Sequence, residues 1–103
     1  MRVTFKEAQN ILKTEKNAVL LDVREEMEYF MGHAAGAKLF PLDEITEETA
    51  KERLPDKNAP ILIYCKTGAR SAEAAETLEK MGYTQVFDIG SLVGWTGRIV
   101  RGE

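Results

Sequence analysis

An apolar run, Ile61-Leu62-Ile63-Tyr64, ends in the chain's only cysteine, Cys65, and passes at once into a small, cationic, glycine-containing loop, Lys66-Thr67-Gly68-Ala69-Arg70-Ser71. This junction sets the strongest constraint on the fold. The run follows Pro60, is rich in β-branched and aromatic residues and is too short for a helix, so it reads as a buried strand. Beyond the loop, Ala72, Ala75, Leu78 and Met81 recur at helical spacing, with Glu73, Glu76, Glu79 and Lys80 between them and Gly82 at the stop. The order is strand, tight loop, helix.

In that order the loop N–H groups and the unpaired N–H groups of the first helical turn converge on one point and favour negative charge there. Cys65 stands at the edge of that point. A thiolate, not a thiol, is the nucleophile, and convergent N–H donors with nearby cations favour it. Arg70 fits the same logic: a cation at a helix N-terminus opposes the dipole by up to about 1 kcal/mol, a penalty that an anion in the loop removes. A lone cysteine at the end of a buried strand is more often a small hydrophobe. Lys66 alone reads as a solvated charge and Arg70 alone as a surface ion-pair partner. Together with Gly68 after a strand, they point to a reactive cysteine.

Three stretches carry a family resemblance. Cys65-Lys66-Thr67-Gly68-Ala69-Arg70-Ser71 resembles the active-site loop of the rhodanese family of sulfurtransferases in its single-domain form. Leu21-Asp22-Val23-Arg24-Glu25, then Glu28-Tyr29, Gly32-His33 and Gly36-Ala37, resemble the family's N-terminal signature at its usual spacing. Asp88-Ile89-Gly90 with Trp95 is similar to its C-terminal glycine pair and tryptophan, except that Ser91 stands where a second glycine is common.

The resemblance implies that Cys65 takes sulfur from a sulfane donor such as thiosulfate, holds it as a persulfide and passes it to cyanide or a thiol. It implies Lys66, Thr67, Gly68, Ala69 and Arg70 as the substrate-binding loop, Asp22, Arg24, Glu28 and His33 as structural support, and no metal or organic cofactor. Protein sulfur donors or acceptors are possible partners. Dual-specificity phosphatases of the same fold also pair a cysteine with an arginine, but their loop has one residue more between the two, where here only Lys66 to Ala69 intervene. A shorter loop leaves less room to wrap a tetrahedral anion, which favours sulfur transfer over phosphatase or arsenate chemistry. The same resemblance is compatible with a persulfide carrier and with a regulatory binding module; such modules commonly lose the cysteine, which is present here.

The remaining segments complete an α/β pattern. Thr4-Phe5-Lys6-Glu7 fits a capping box, and Phe5, Ala8, Ile11 and Leu12 make an apolar stripe for a helix reaching about Lys13. Ala18 to Val23 is a second strand, apolar almost throughout until Asp22, as in a sheet covered on both faces. Glu25 to Met31 reads as a short helix, Gly36 to Pro41 as a turn into a short strand, Ile45 to Leu54 as a helix, Tyr83 to Ile89 as a strand, and Leu92 to Trp95 as part of a broken helix. His33 between glycine and alanine reads as a backbone hydrogen-bonding residue rather than a base, and Trp95 as a core anchor. Alternating strands and helices predict one α/β domain, residues 1–103, with a mainly parallel sheet, helices on both faces and the site at the carboxyl ends of the strands. The resemblance implies that this is the rhodanese-like three-layer fold, with about five strands in the sheet. A net charge of −3 argues against nucleic acid and anionic membranes as partners. The absence of a signal-peptide pattern and of a long apolar span predicts a cytoplasmic location. One cysteine and one histidine leave neither an internal disulfide nor an evident zinc cluster.

Overall fold

In chain order the computed structural model, which describes residues 1–102, has α1 (Phe5–Thr14), β1 (Val19–Asp22), α2 (Glu26–Met31), β2 (His33–Ala34) and β3 (Lys38–Leu39). A 3-10 turn (Leu42–Glu44) leads to α3 (Glu47–Arg53), β4 (Ile61–Cys65), α4 (Ala69–Lys80), β5 (Val86–Ser91) and β6 (Ile99–Val100). The central sheet has four parallel strands in the order β3-β1-β4-β5. Arg2 adds a single parallel bridge at Asp88, so the fifth position that the resemblance implies is occupied by one bridge rather than a strand.

Every residue of β4 is buried, and the pleat divides them between two cores. Ile61, Ile63 and Cys65 join Leu21 and Val23 against Ala74, Ala75 and Leu78 of α4 and Ala50 of α3. Leu62 and Tyr64 join Leu20 and Ile89 against Ala8 of α1, with Phe5, Tyr29 and Trp95 packed around them. Helices on both faces are why the strands read as near-continuous apolar runs. The Thr4 capping box forms: Thr4 Oγ1 accepts the Glu7 N–H at 3.0 Å and Glu7 accepts the Thr4 N–H at 2.8 Å.

Several boundaries differ from the sequence reading. The helix after Cys65 starts at Ala69, so its buried stripe is Ser71, Ala74, Ala75 and Leu78, and Ala72 faces solvent. The helix expected from Ile45 begins at Glu47, because Ile45 closes the 3-10 turn and Thr46 caps α3 through the Thr49 N–H. Tyr83 lies outside β5: its N–H bonds the Leu78 carbonyl, and its hydroxyl donates to the carbonyls of Ala50 and Leu54. Leu92 to Trp95 forms turns and no helix, with Gly94 in the left-handed region at φ +89°. The chain then returns as β6, antiparallel to β2, a pairing of two-residue strands too short to show a sequence period.

Candidate active site

Cys65 is the last residue of β4 and, by strand alternation, faces α4. The register of β4 against β5 slips after Ile63, which pairs with Asp88, so that Tyr64 pairs with Gly90 and Cys65 with Ser91. Such irregularities re-aim the side chains that follow them, and here the next but one is the cysteine. Gly68 caps α4 at φ +104°, a conformation that costs glycine little and other residues much. The turn brings two backbone donors onto the fully buried sulfur: Sγ accepts the Gly68 N–H at 3.0 Å and the Ser71 N–H at 3.3 Å. The expected convergence of loop and helix N–H groups is therefore present around Cys65 and Gly68. Lys66, Thr67 and Ala69 line the outside of the turn, and all three are solvent-exposed.

Arg70 is in the first turn of α4, yet its guanidinium does not lie open in the loop. Glu28 of α2 takes both terminal nitrogens, Nη1 donating to Oε1 at 2.7 Å and Nη2 to Oε2 at 3.0 Å. The Arg70 hydrogen bonds are the main cause that holds the Glu28 carboxyl at a pKa of about 2, helped by the Glu25 N–H donating to it at 2.9 Å. The same pairing raises Arg70 above the usual arginine value. Arginine forks match carboxylates in this two-bonded geometry.

Asp22 and Arg24, expected as support, form a buried pair beside the loop. Arg24 Nη2 donates to Asp22 Oδ2 at 2.6 Å and to the Gly32 carbonyl at 2.6 Å, and the Arg24 Nε and backbone N–H donate to Asp22 Oδ1 at 2.9 Å each. Burial works against the Arg24 charge, but Asp22 keeps it above the usual arginine range. Tyr64 is a third member that the sequence reading missed. Its hydroxyl donates to Asp22 Oδ2 at 2.6 Å and accepts the Ala34 N–H at 3.1 Å, and burial, then Asp22, push the phenol well above its ordinary pKa. The available signal was a tyrosine inside an all-apolar strand, since a buried hydroxyl needs a partner. His33 is buried, its Nδ1 lies 2.9 Å from the Tyr29 carbonyl oxygen, and its ring stacks on Tyr29 at 3.6 Å.

Ser91, the position where the sequence departs from the family pattern, ties the loop to the segment after β5. Its hydroxyl donates to the Lys66 carbonyl at 2.5 Å and accepts the Val93 N–H at 3.0 Å. Two shallow hollows flank the loop and share Arg24, Gly32 and Lys66: one of about 340 Å³ is walled by Met27 and Met31, the other of about 360 Å³ by Val93, Trp95 and Ile99. Trp95 therefore serves both as a core anchor, edge-on to Phe5 at 5.6 Å, and as a wall of the second hollow. A larger hollow of about 640 Å³, between α3, Lys57 and Tyr83, is lined by residues remote from the cysteine loop, so volume alone does not mark this site. Among the described residues no group of three or more His, Cys, Asp or Glu side chains is placed to hold a metal ion. Among them, too, no helix is long and apolar enough to cross a membrane.

Comparison with known proteins agrees with this geometry. The family model of the rhodanese-like domain matches residues 4–98. The thiosulfate sulfurtransferase PspE of Escherichia coli is 42% identical over 72 residues, which are 70% of this chain and 68% of PspE. The uncharacterized protein YqhL of Bacillus subtilis is 38% identical over 85 residues, 82% of this chain, and the chain spans only 65% of that relative's length. The solved structure of a rhodanese with anions from E. coli has a TM-score of 0.77 at 36% identity, covering 82% of this chain and 99% of that one.

Proposed function

The chain belongs to the rhodanese-like domain family, and on that premise we propose that Cys65 carries sulfane sulfur as a persulfide from thiosulfate or a persulfide donor to a thiophilic acceptor. Sulfur transfer or sulfur carriage is the activity class that this membership supports. The observation that carries the finer reading is the pair of N–H donors, from Gly68 and Ser71, aimed at Sγ at the end of a buried strand. Preorganised donors at a water-poor position stabilise charge where it develops and need no reorganisation during the reaction.

In the first half-reaction the Cys65 thiolate attacks the outer sulfur of the donor. The Sγ–S bond forms, the donor's S–S bond breaks, and the electron pair leaves with sulfite or with the donor thiolate. In the second, cyanide or an acceptor thiolate attacks the terminal sulfur, and the pair returns to Sγ. The charge stays on or next to Sγ throughout, where the Gly68 and Ser71 N–H groups meet it. In this reading Lys66, Thr67 and Ala69 contribute loop backbone, Lys66 adds a cation, and Arg70 shapes the loop through Glu28. The Asp22–Arg24 pair, with Tyr64 and His33, fixes the wall beside the loop. Cytoplasmic placement and a single domain over residues 1–103 belong to the same proposal.

Phosphatase chemistry draws no support, because the loop is short and the loop's arginine, Arg70, is already engaged by Glu28. Cyanolysis tests the proposal: thiosulfate and cyanide should yield thiocyanate with the native chain and none with Cys65→Ser. Equal thiocyanate from both would overturn it.

A further inference from the structure

The surface around the loop says which class of sulfur donor fits. Among the described residues six large hydrophobic side chains are exposed, and four of them, Met27 (71%), Met31 (69%), Val93 (77%) and Ile99 (47%), wall the two hollows that meet the cysteine loop at Lys66. They come from three separate parts of the chain, and the shared Arg24, Gly32 and Lys66 make the two hollows one continuous surface. Exposed apolar clusters with adaptable methionines, rimmed by charge, are characteristic of protein contact surfaces.

The charges point the same way. Attack of a thiolate on thiosulfate gathers three negative charges, one on Sγ and two on the donor, and calls for several uncommitted cations. Here Arg24 is neutralised by Asp22 and Arg70 by Glu28. Among the described residues Lys66 is in no ion pair, and it lies on both hollows. One free ammonium in an apolar frame matches the single negative charge that sulfur transfer leaves on an otherwise apolar partner.

We infer that Met27, Met31, Val93 and Ile99 form the docking surface for a cysteine persulfide borne on an apolar segment of a partner protein, with Lys66 meeting the charge of the departing sulfur. The inference rests on the persulfide reading of Cys65. The step balances without a further reagent. The Cys65 thiolate attacks the terminal sulfur of the protonated persulfide, the Sγ–S bond forms, the partner's S–S bond breaks, and the electron pair leaves on the partner's thiolate. The proton stays on the transferred sulfur, and the one negative charge passes from Sγ to the partner, beside Lys66.

The test uses persulfides of two short peptides that differ only in the residues flanking their single cysteine, Leu and Met in one, Gly and Ser in the other, with thiosulfate as a third donor. Loading of Cys65 is followed by intact mass. The expected result is a preference of about tenfold in kcat/KM for the apolar peptide over the polar one, the size that one or two buried side chains supply. Loading by thiosulfate should be slower than by the apolar peptide. The Met27→Glu/Val93→Glu double variant should bring the peptide ratio to about one, and Met27→Ser/Val93→Ser should lower it in between, with unchanged thermal midpoints showing that both are folded. Equal loading by the two peptides, or faster loading by thiosulfate, would overturn the docking surface and leave the persulfide reading standing. Failure of all three donors to load Cys65 would overturn both.

Discussion

Glu28 and Arg70 close a two-bonded ion pair across 42 residues of chain, fastening the first turn of α4 to α2 beside the cysteine loop. The pair answers a local problem. Arg70 at a helix N-terminus opposes the dipole, and the nearby carboxylate compensates for it. The consequence is that the loop arginine serves α2 before it can serve a substrate.

Arg70→Ala should therefore slow loading of Cys65 by thiosulfate and by a protonated persulfide to a similar extent, because it loosens the loop equally for both. Single-turnover loading rates with the two donors check this. A loss confined to thiosulfate would show that Arg70 leaves Glu28 to bind the anion.

The same pair makes a pH-dependent contribution to stability. Glu28 is depressed from its ordinary 4.5 to about 2, so its contribution is fully present above the unfolded value and is lost as pH falls from there through about 2. Both side chains are roughly a third exposed, so solvent screening limits the pair to about 1 kcal/mol. Denaturant titrations of the native chain and Glu28→Gln should differ by that amount at neutral pH and converge toward pH 2. A gap independent of pH would contradict the assignment.

Gly68→Ala tests the loop backbone. A Cβ there would meet only Gly90 Cα at 3.9 Å, so the cost is conformational and not a clash. It should amount to about 1–2 kcal/mol. Relaxing that φ of +104° turns the Gly68 N–H partly away from Sγ, and loading should fall by about tenfold, less than the roughly hundredfold or more of losing a stabilising donor outright. Unchanged loading despite the loss of stability would remove the Gly68 N–H from the mechanism.

Tyr64→Phe separates support from chemistry. It leaves the buried Ala34 N–H without its acceptor and Asp22 without one donor, a loss of about 1–3 kcal/mol. Tyr64 faces the α1 side of the sheet and Cys65 the α4 side, so the loading rate should change by less than about threefold, under 0.7 kcal/mol in barrier. Calorimetry beside single-turnover loading distinguishes the two, and a large fall in loading would place the Asp22 network in the reaction.

Much of this arrangement can be read from the residues in order, for reasons that are local. A short β-branched run after Pro60 makes β4, Gly68 permits the turn, and Thr4 with Glu7 starts α1. Covered faces on both sides follow from strands with no polar alternation. What could not be read is partner choice over distance. Nothing near Arg70 in sequence says that Glu28 will take its guanidinium, or near Tyr64 that its hydroxyl will reach Asp22, since both contacts exist only once the sheet and α2 are assembled. Ser91 is similar: as a departure from a common glycine it looks like a weakened match, whereas in the fold its hydroxyl fastens Lys66 to Val93. The β2–β6 pairing escapes because two residues have no periodicity to show.

Everything proposed for the loop depends on one covalent event, the passage of sulfur onto Cys65. Intact-protein mass spectrometry after incubation with thiosulfate or a peptide persulfide, with and without later cyanide and beside Cys65→Ser, detects that event itself. The expected result is a gain of one sulfur atom located at Cys65, removed by cyanide and absent in the variant. A native chain that gains no sulfur from either donor, or a Cys65→Ser chain that gains it equally, would contradict the covalent scheme.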